Sequence, residues 1–145
     1  MTFLAGGITG CPDWQQDATA LLAPYDVIVL NPRRASYDGS DPDAADMQVR
    51  WEYTHRRHPA LAAILFWFPP SAMTQPIALL ELGEMFARPA VPIVVGADPG
   101  YVRRTDVVLQ CRYARPEVTI HSTLVDTVAA LITTMGWCRA SEETR

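Results

Sequence analysis

The sequence predicts an α/β protein: a single domain with a parallel five-stranded sheet and helices on both of its faces. Three observations carry that expectation. Short apolar runs alternate with amphipathic stretches along the whole chain, the pattern of successive strand–helix units. The run DVIVL is apolar without alternation, as strands covered on both faces are. No two such runs are joined by a tight Asn-Gly or Asp-Gly loop, so nothing signals a hairpin.

Each element has its own local reason. TFLAGG (residues 2–7) opens as a short buried strand and enters a glycine-rich turn, GGITGCPDW. Asp13, after Pro12, is placed to cap a first helix on which Trp14, Ala18, Leu21 and Leu22 fall at helical spacing. DVIVL (26–30) is the second strand, broken by the Asn, Pro, Gly and Asp of the loop NPRRASYDGSDPD (31–43). A second helix runs from about Asp43 to Arg57, and ALAAILFWF (60–68) is the third strand. After PPSAM, the stretch QPIALLELGEMFARP (75–89) reads as a third helix with Pro76 in its first turn. VPIVVG (91–96) is the fourth strand. DPGYVRRTDVVLQCRYARPE (98–117) reads as irregular, with a short helix around Asp106 to Arg112. VTIHS (118–122) is the fifth strand and TLVDTVAALITTMG (123–136) the closing helix. The domain spans residues 1–138, and RASEETR (139–145) is a polar, frayed tail. A flavodoxin/Rossmann-like strand order follows, which puts a ligand crevice beyond the C-terminal strand ends.

Composition narrows the function classes. The chain has 145 residues, enough for one core. A formal net charge of −4 and a pI near 5.2 argue against a nucleic-acid binder, which needs cations to neutralise phosphates. The longest apolar stretch ends in prolines and is too short for a membrane span, and no basic leader precedes the first strand. Three cysteines without CxxC spacing read as reduced thiols, so the expectation is a cytoplasmic protein. His55 and His58 have no partner at metal-ligand spacing, so neither a metal nor another cofactor is expected.

The most informative residue is Glu81. At about 100° per residue, Ala78, Leu79, Leu82, Met85 and Phe86 share one apolar arc of the third helix, and Glu84 falls opposite. Glu81 falls at the border of that arc, so it either reaches into water or looks into a cleft; a place early in the helix favours the cleft. Around the same crevice, GGITG lacks the G-x-G-x-x-G spacing of a dinucleotide loop. It is either a tight turn or a place where Gly6, Gly7 and Ile8 let a ligand approach the backbone. Asn31 either starts a turn or offers a donor and an acceptor to a base or sugar, with Arg33 or Arg34 beside it for a phosphate. Gln48, Glu52 and Arg56 stand at i, i+4 spacing, which alone suggests a solvated ladder. In FWFPP, Trp67 faces away from Phe66 and Phe68, so one set packs under a helix and the other lines an apolar wall.

Six segments in this order, FLAGGITGCPDWQ, NPRR, QVRWE, ILFWFP, QPIALLELGE and VVG, resemble the nucleoside 2-deoxyribosyltransferase superfamily, in particular its compact deoxyribosyltransferase-like branch. The resemblance implies a carboxylate that attacks C1′ of a 2-deoxynucleoside and expels the base; the sugar then passes to a second base or to water. It places that nucleophile at Glu81, in Glu81-Leu82-Gly83. Such a carboxylate needs donors to stay ionised, for which the amides near Gly6 and Gly7, or Gln75, are candidates. The expected substrate-binding set is Gly6, Gly7, Ile8, Trp14, Asn31, Arg33, Glu52, Trp67 and Gln75. Two departures stand out: Phe3 occupies the place of a tyrosine that hydrogen-bonds the family nucleophile, and Gln75 that of an aspartate. The implied partners are a nucleoside or nucleotide, a free base and a second copy of the chain, with no nucleic acid and no membrane. Alternatives are a nucleoside 5′-monophosphate N-glycosidase and a silent nucleotide-binding module.

Overall fold

Five parallel strands form one sheet in the order β2-β1-β3-β4-β5, seen in a computed structural model that describes residues 1–36 and 40–140. Along the chain the elements are β1 (Thr2–Gly6), α1 (Trp14–Leu22), β2 (Val29–Leu30), α2 (Ala44–His55), β3 (Ala63–Phe68), α3 (Pro76–Phe86), β4 (Ile93–Ala97), α4 (Arg104–Ala114), β5 (Ile120–His121) and α5 (Leu124–Met135). This is the doubly wound, flavodoxin-like arrangement that the alternation of the sequence predicts. Register pairs Phe3 with Ile64 and Gly6 with Trp67 across β1 and β3.

Strand periodicity divides the core into two layers. Phe3, Ala5, Ile64, Phe66, Phe68 and Val95 face Ala78, Leu82 and Met85 of α3 and Val107 and Cys111 of α4, with Trp51 of α2 packed at the margin. Leu4, Leu65, Trp67 and Val94 face Trp14, Ala18 and Leu22 of α1 and Val128 and Leu131 of α5. Thus α2, α3 and α4 cover one face and α1 and α5 the other. Asp13 caps α1 by accepting from the Gln16 amide at 3.2 Å, as its position predicts. Among the described residues no helix is long and apolar enough to cross a membrane.

Four expectations need correction. The second strand was expected over 26–30 and covered on both faces, yet only Val29–Leu30 pair, and Ile28 is 63% exposed. It is an edge strand, with a neighbour on one side only. The segment 98–117 holds a full helix, α4, where a short one was expected. Its buried stripe is only Val107 and Cys111, one turn apart, too narrow to register as amphipathic. Arg115 anchors its end, donating to the carbonyls of Met85 (3.2 Å) and Val91 (3.4 Å). The fifth strand shortens to Ile120–His121. The expected frayed tail begins docked, because Arg139 bridges Tyr25 and the Ala140 amide donates to the Pro24 carbonyl at 2.9 Å. The rest of that tail, and Tyr37 to Gly39 of the long loop, lie outside the described residues.

Candidate active site

Glu81 is the sixth residue of α3, and the helix turns its side chain inward: the residue is only 7% exposed. Its partner comes from the other helix on that face. Arg56, the C-cap of α2 and equally buried, donates from Nη1 to Glu81 Oε1. The guanidinium lies 5.8 Å from the centre of the Phe3 ring on β1, so the pair rests on an aromatic floor that offers no hydroxyl. Arg56 Nε is sealed from water without a hydrogen-bond partner among the described residues. The donors expected for Glu81, the amides near Gly6 and Gly7 or the Gln75 side chain, are replaced by this arginine.

A balanced group of charges surrounds the pair. Glu84, one turn on from Glu81, accepts from Arg57 at 2.5 Å and from Arg88 at 3.4 Å, and stands 3.6 Å from Arg56 Nη2. Glu52 lies one turn before Arg56 and takes a hydrogen bond from Gln48 Nε2 at 2.6 Å; the same Nε2 reaches the Pro32 carbonyl at 2.9 Å. Gln48, Glu52 and Arg56 therefore form the inward polar edge of α2, running from the loop after β2 to Glu81. The spacing that suggested a solvated ladder marks a partly buried one instead. Burial raises the Glu81 carboxyl to about 7; Arg56 pulls it down, and Glu52 and Glu84 push it further up. A carboxylate with a pKa near neutrality, poised between two helices, is equipped to act as a nucleophile or to exchange a proton.

The other residues singled out from the sequence form a second group at the C-terminal end of β1. Alanine at Gly6 would strike the Trp67 carbonyl and the Trp14 ring, and alanine at Gly7 would strike the Gln75 amide and the Cys11 thiol. The protein itself uses the space these glycines leave. Trp14 Nε1 donates to the Gly7 carbonyl at 2.9 Å, which fixes the turn to α1. Gln75, the N-cap of α3, holds a left-handed backbone (φ 52°, ψ 55°), the single positive φ outside glycine among the described residues. Its Nε2 donates to the Pro69 carbonyl at 3.3 Å, while its buried Oε1 has no partner among the described residues.

Asn31 and Arg33 belong to the same group but are already engaged. Asn31 Oδ1 accepts from the Arg33 amide at 2.8 Å and so closes a turn. The Arg33 guanidinium donates to the carbonyls of Pro12 (2.9 Å), Cys11 (3.2 Å) and Ile8 (3.5 Å) and to Gln15 Oε1 (3.0 Å). It latches the glycine-rich turn, while Arg34 is exposed. Trp14 and Trp67 pack together in the layer opposite Glu81, so neither tryptophan ring lies in the Glu81 layer. The charge of Glu52 reaches Glu81, and Gly6, Gly7, Ile8, Asn31, Arg33 and Gln75 gather at the strand ends. Arg56 was not among the residues singled out for the site, although its i, i+4 spacing to Glu52 was the visible signal.

Comparison with known proteins adds one finding. A family model described as nucleoside 2-deoxyribosyltransferase like matches residues 1–101, which hold every residue named above in the two groups. No curated protein matches the chain.

Proposed function

The chain belongs to the nucleoside 2-deoxyribosyltransferase-like family, and from that premise we propose that it cleaves the N-glycosidic bond of a 2-deoxynucleoside through an ester on Glu81. One observation carries the reading: a carboxylate buried mid-helix, raised to about 7, with a single donor on one of its oxygens among the described residues. Glu81 Oε2 attacks C1′, and the C1′–N bond breaks with its electron pair passing to the base. The base takes a proton from water. A nitrogen of a second base, or water, then attacks C1′ and the carboxylate leaves. An anion beside C1′ stabilises the oxocarbenium-like transition state, and covalent capture splits one hard step into two.

Substrate contacts in this reading come from the strand ends. Gln75 Oε1, an unpartnered buried acceptor on a strained backbone, fits a sugar or base donor. A 5′-phosphate is the less favoured substrate, because Arg33 already serves the turn. Self-association also belongs to the reading, since Ile77 and Leu80 leave apolar surface on the outer side of α3.

A second reading, a nucleotide-binding module without turnover, is favoured by the depth of Glu81 behind Arg56. Incubation with 2-deoxynucleosides and their monophosphates, followed by chromatography for free base, separates the two. Base release that disappears in Glu81→Ala, with an unchanged circular dichroism spectrum, is expected. Full turnover by that variant would sink the nucleophile assignment. Addition of a second base distinguishes transfer from hydrolysis.

A further inference from the structure

We infer that Arg56 is the positioning residue for Glu81: its buried guanidinium orients the carboxylate through Oε1 and leaves Oε2 free to attack. The role of the group it holds rests on the reading of Glu81 as nucleophile.

The geometry converges on this assignment. Arg56 is the one donor to Glu81 among the described residues, and it engages a single oxygen. A bidentate fork would have tied up both oxygens and blunted the nucleophile. Among the described residues Arg56 is the cation that acts on Glu81, while Arg57 and Arg88 are engaged by Glu84. On β1 the ring beneath Arg56 is the apolar Phe3, and the charges that reach Glu81 from α2 and α3 besides Arg56 are the carboxylates Glu52 and Glu84. Without Arg56, desolvation and two neighbouring carboxylates would all favour the protonated, unreactive acid.

The remaining charges keep Arg56 available. Glu84 would compete for it, but Arg57 and Arg88 hold Glu84, and Nη2 of Arg56 is left 3.6 Å away. Arg88 Nη1 also donates to the Arg56 carbonyl at 3.4 Å, which fixes the backbone from which the side chain reaches Glu81. Arg56 Nε is buried without a partner among the described residues, so the guanidinium spends Nη1 on Glu81 while its own hydrogen bonding stays incomplete.

The test reads both partners directly. In protein carrying 13C-labelled Glu carboxyls and 15N-labelled arginine, Glu81 is assigned through Glu81→Gln and followed from pH 4 to 9. In the unmodified chain the Arg56 side-chain 15N signals are expected to move with the same midpoint as the Glu81 carboxyl. In Arg56→Gln that midpoint rises by about one unit or more, and the acid limb of kcat/KM for base release moves with it, roughly a tenfold loss at pH 6. Arg56 signals that ignore the Glu81 titration would overturn the inference, and that readout needs no variant of Arg56 to fold. An unmoved Glu81 midpoint in folded Arg56→Gln would overturn it equally. If the carboxyl responds as described but no base is released by the unmodified chain, Arg56 still positions Glu81 and it is the nucleophile reading that fails.

Discussion

Glu81 is subject to opposed forces that a surface carboxylate escapes. Desolvation favours the neutral acid, Arg56 the anion, and the balance leaves the group near 7. Its ordinary value is 4.5, so the folded protein binds its proton more tightly than the unfolded chain does. With the folded pKa raised, the stabilising contribution is present below about 4.5 and is lost as pH rises through about 7. Glu81→Gln, an isostere of the neutral acid, lacks that loss. Between pH 5 and pH 8 its stability relative to the unmodified chain should improve by on the order of 3 kcal/mol, read from urea midpoints at each pH. Parallel pH profiles for the two proteins would show that Glu81 does not titrate in this window. Activity must run the other way, because attack needs the anion, so base release should climb with pH through the same range. The residue is thus least comfortable in the state that works, the trade-off expected of a functional group.

At the scale of the element, α2 departs from a simple amphipathic helix. Its inner edge is polar, with Gln48, Glu52 and Arg56 stacked one turn apart, while Met47, Val49 and Tyr53 are exposed. A helix that turns amides and charges inward gives up apolar burial, and the return is a polar path from the loop after β2 to the carboxylate on α3. Glu52 and Arg56 act on Glu81 with opposite signs. Glu52→Gln should therefore lower the Glu81 midpoint and carry the acid limb of the pH–rate profile to lower pH, opposite to Arg56→Gln. It should also impair base exchange more than sugar capture, measured as separate rates of ester formation and transfer. An acid limb that does not move would place Glu52 outside the field of the nucleophile. On α3, the left-handed Gln75 at the N-cap costs on the order of 1–2 kcal/mol of backbone strain for a non-glycine residue. Its bond to Pro69 and its packing on Gly7 hold it there.

For the whole molecule, the family match ends at Tyr101, yet the sheet does not. The segment beyond it supplies α4, β5 and α5, and α5 lays Val128 and Leu131 over Leu65, Trp67 and Val94. Five large apolar side chains at roughly 1.5–3 kcal/mol each amount to about 10 kcal/mol, comparable with the entire stability of an ordinary domain. A chain truncated after Tyr101 should lose cooperative thermal unfolding by circular dichroism, even though it keeps both groups of site residues. A sharp transition in that fragment would mean that α5 is dispensable to the fold.

Sequence alone determined the parallel sheet, most of the helices and strands, and the family, because these depend on local periodicity and on ordered segments. Asp13 as a cap and Glu81 as an anomaly on an apolar arc were legible for the same reason: each is a departure visible within one turn of helix. Only the tertiary structure decided what Glu81 touches, that Arg33 is spent on the turn, that Trp67 lies in the layer away from Glu81, and that α2 shows its polar edge to the core. A ladder spaced i, i+4 is identical in sequence whether it meets water or another helix. The difference lies in which way the helix is rotated against the sheet, and that is settled by Trp51 against Phe3, at 6.0 Å between ring centres, and by a partner 25 residues away along the chain.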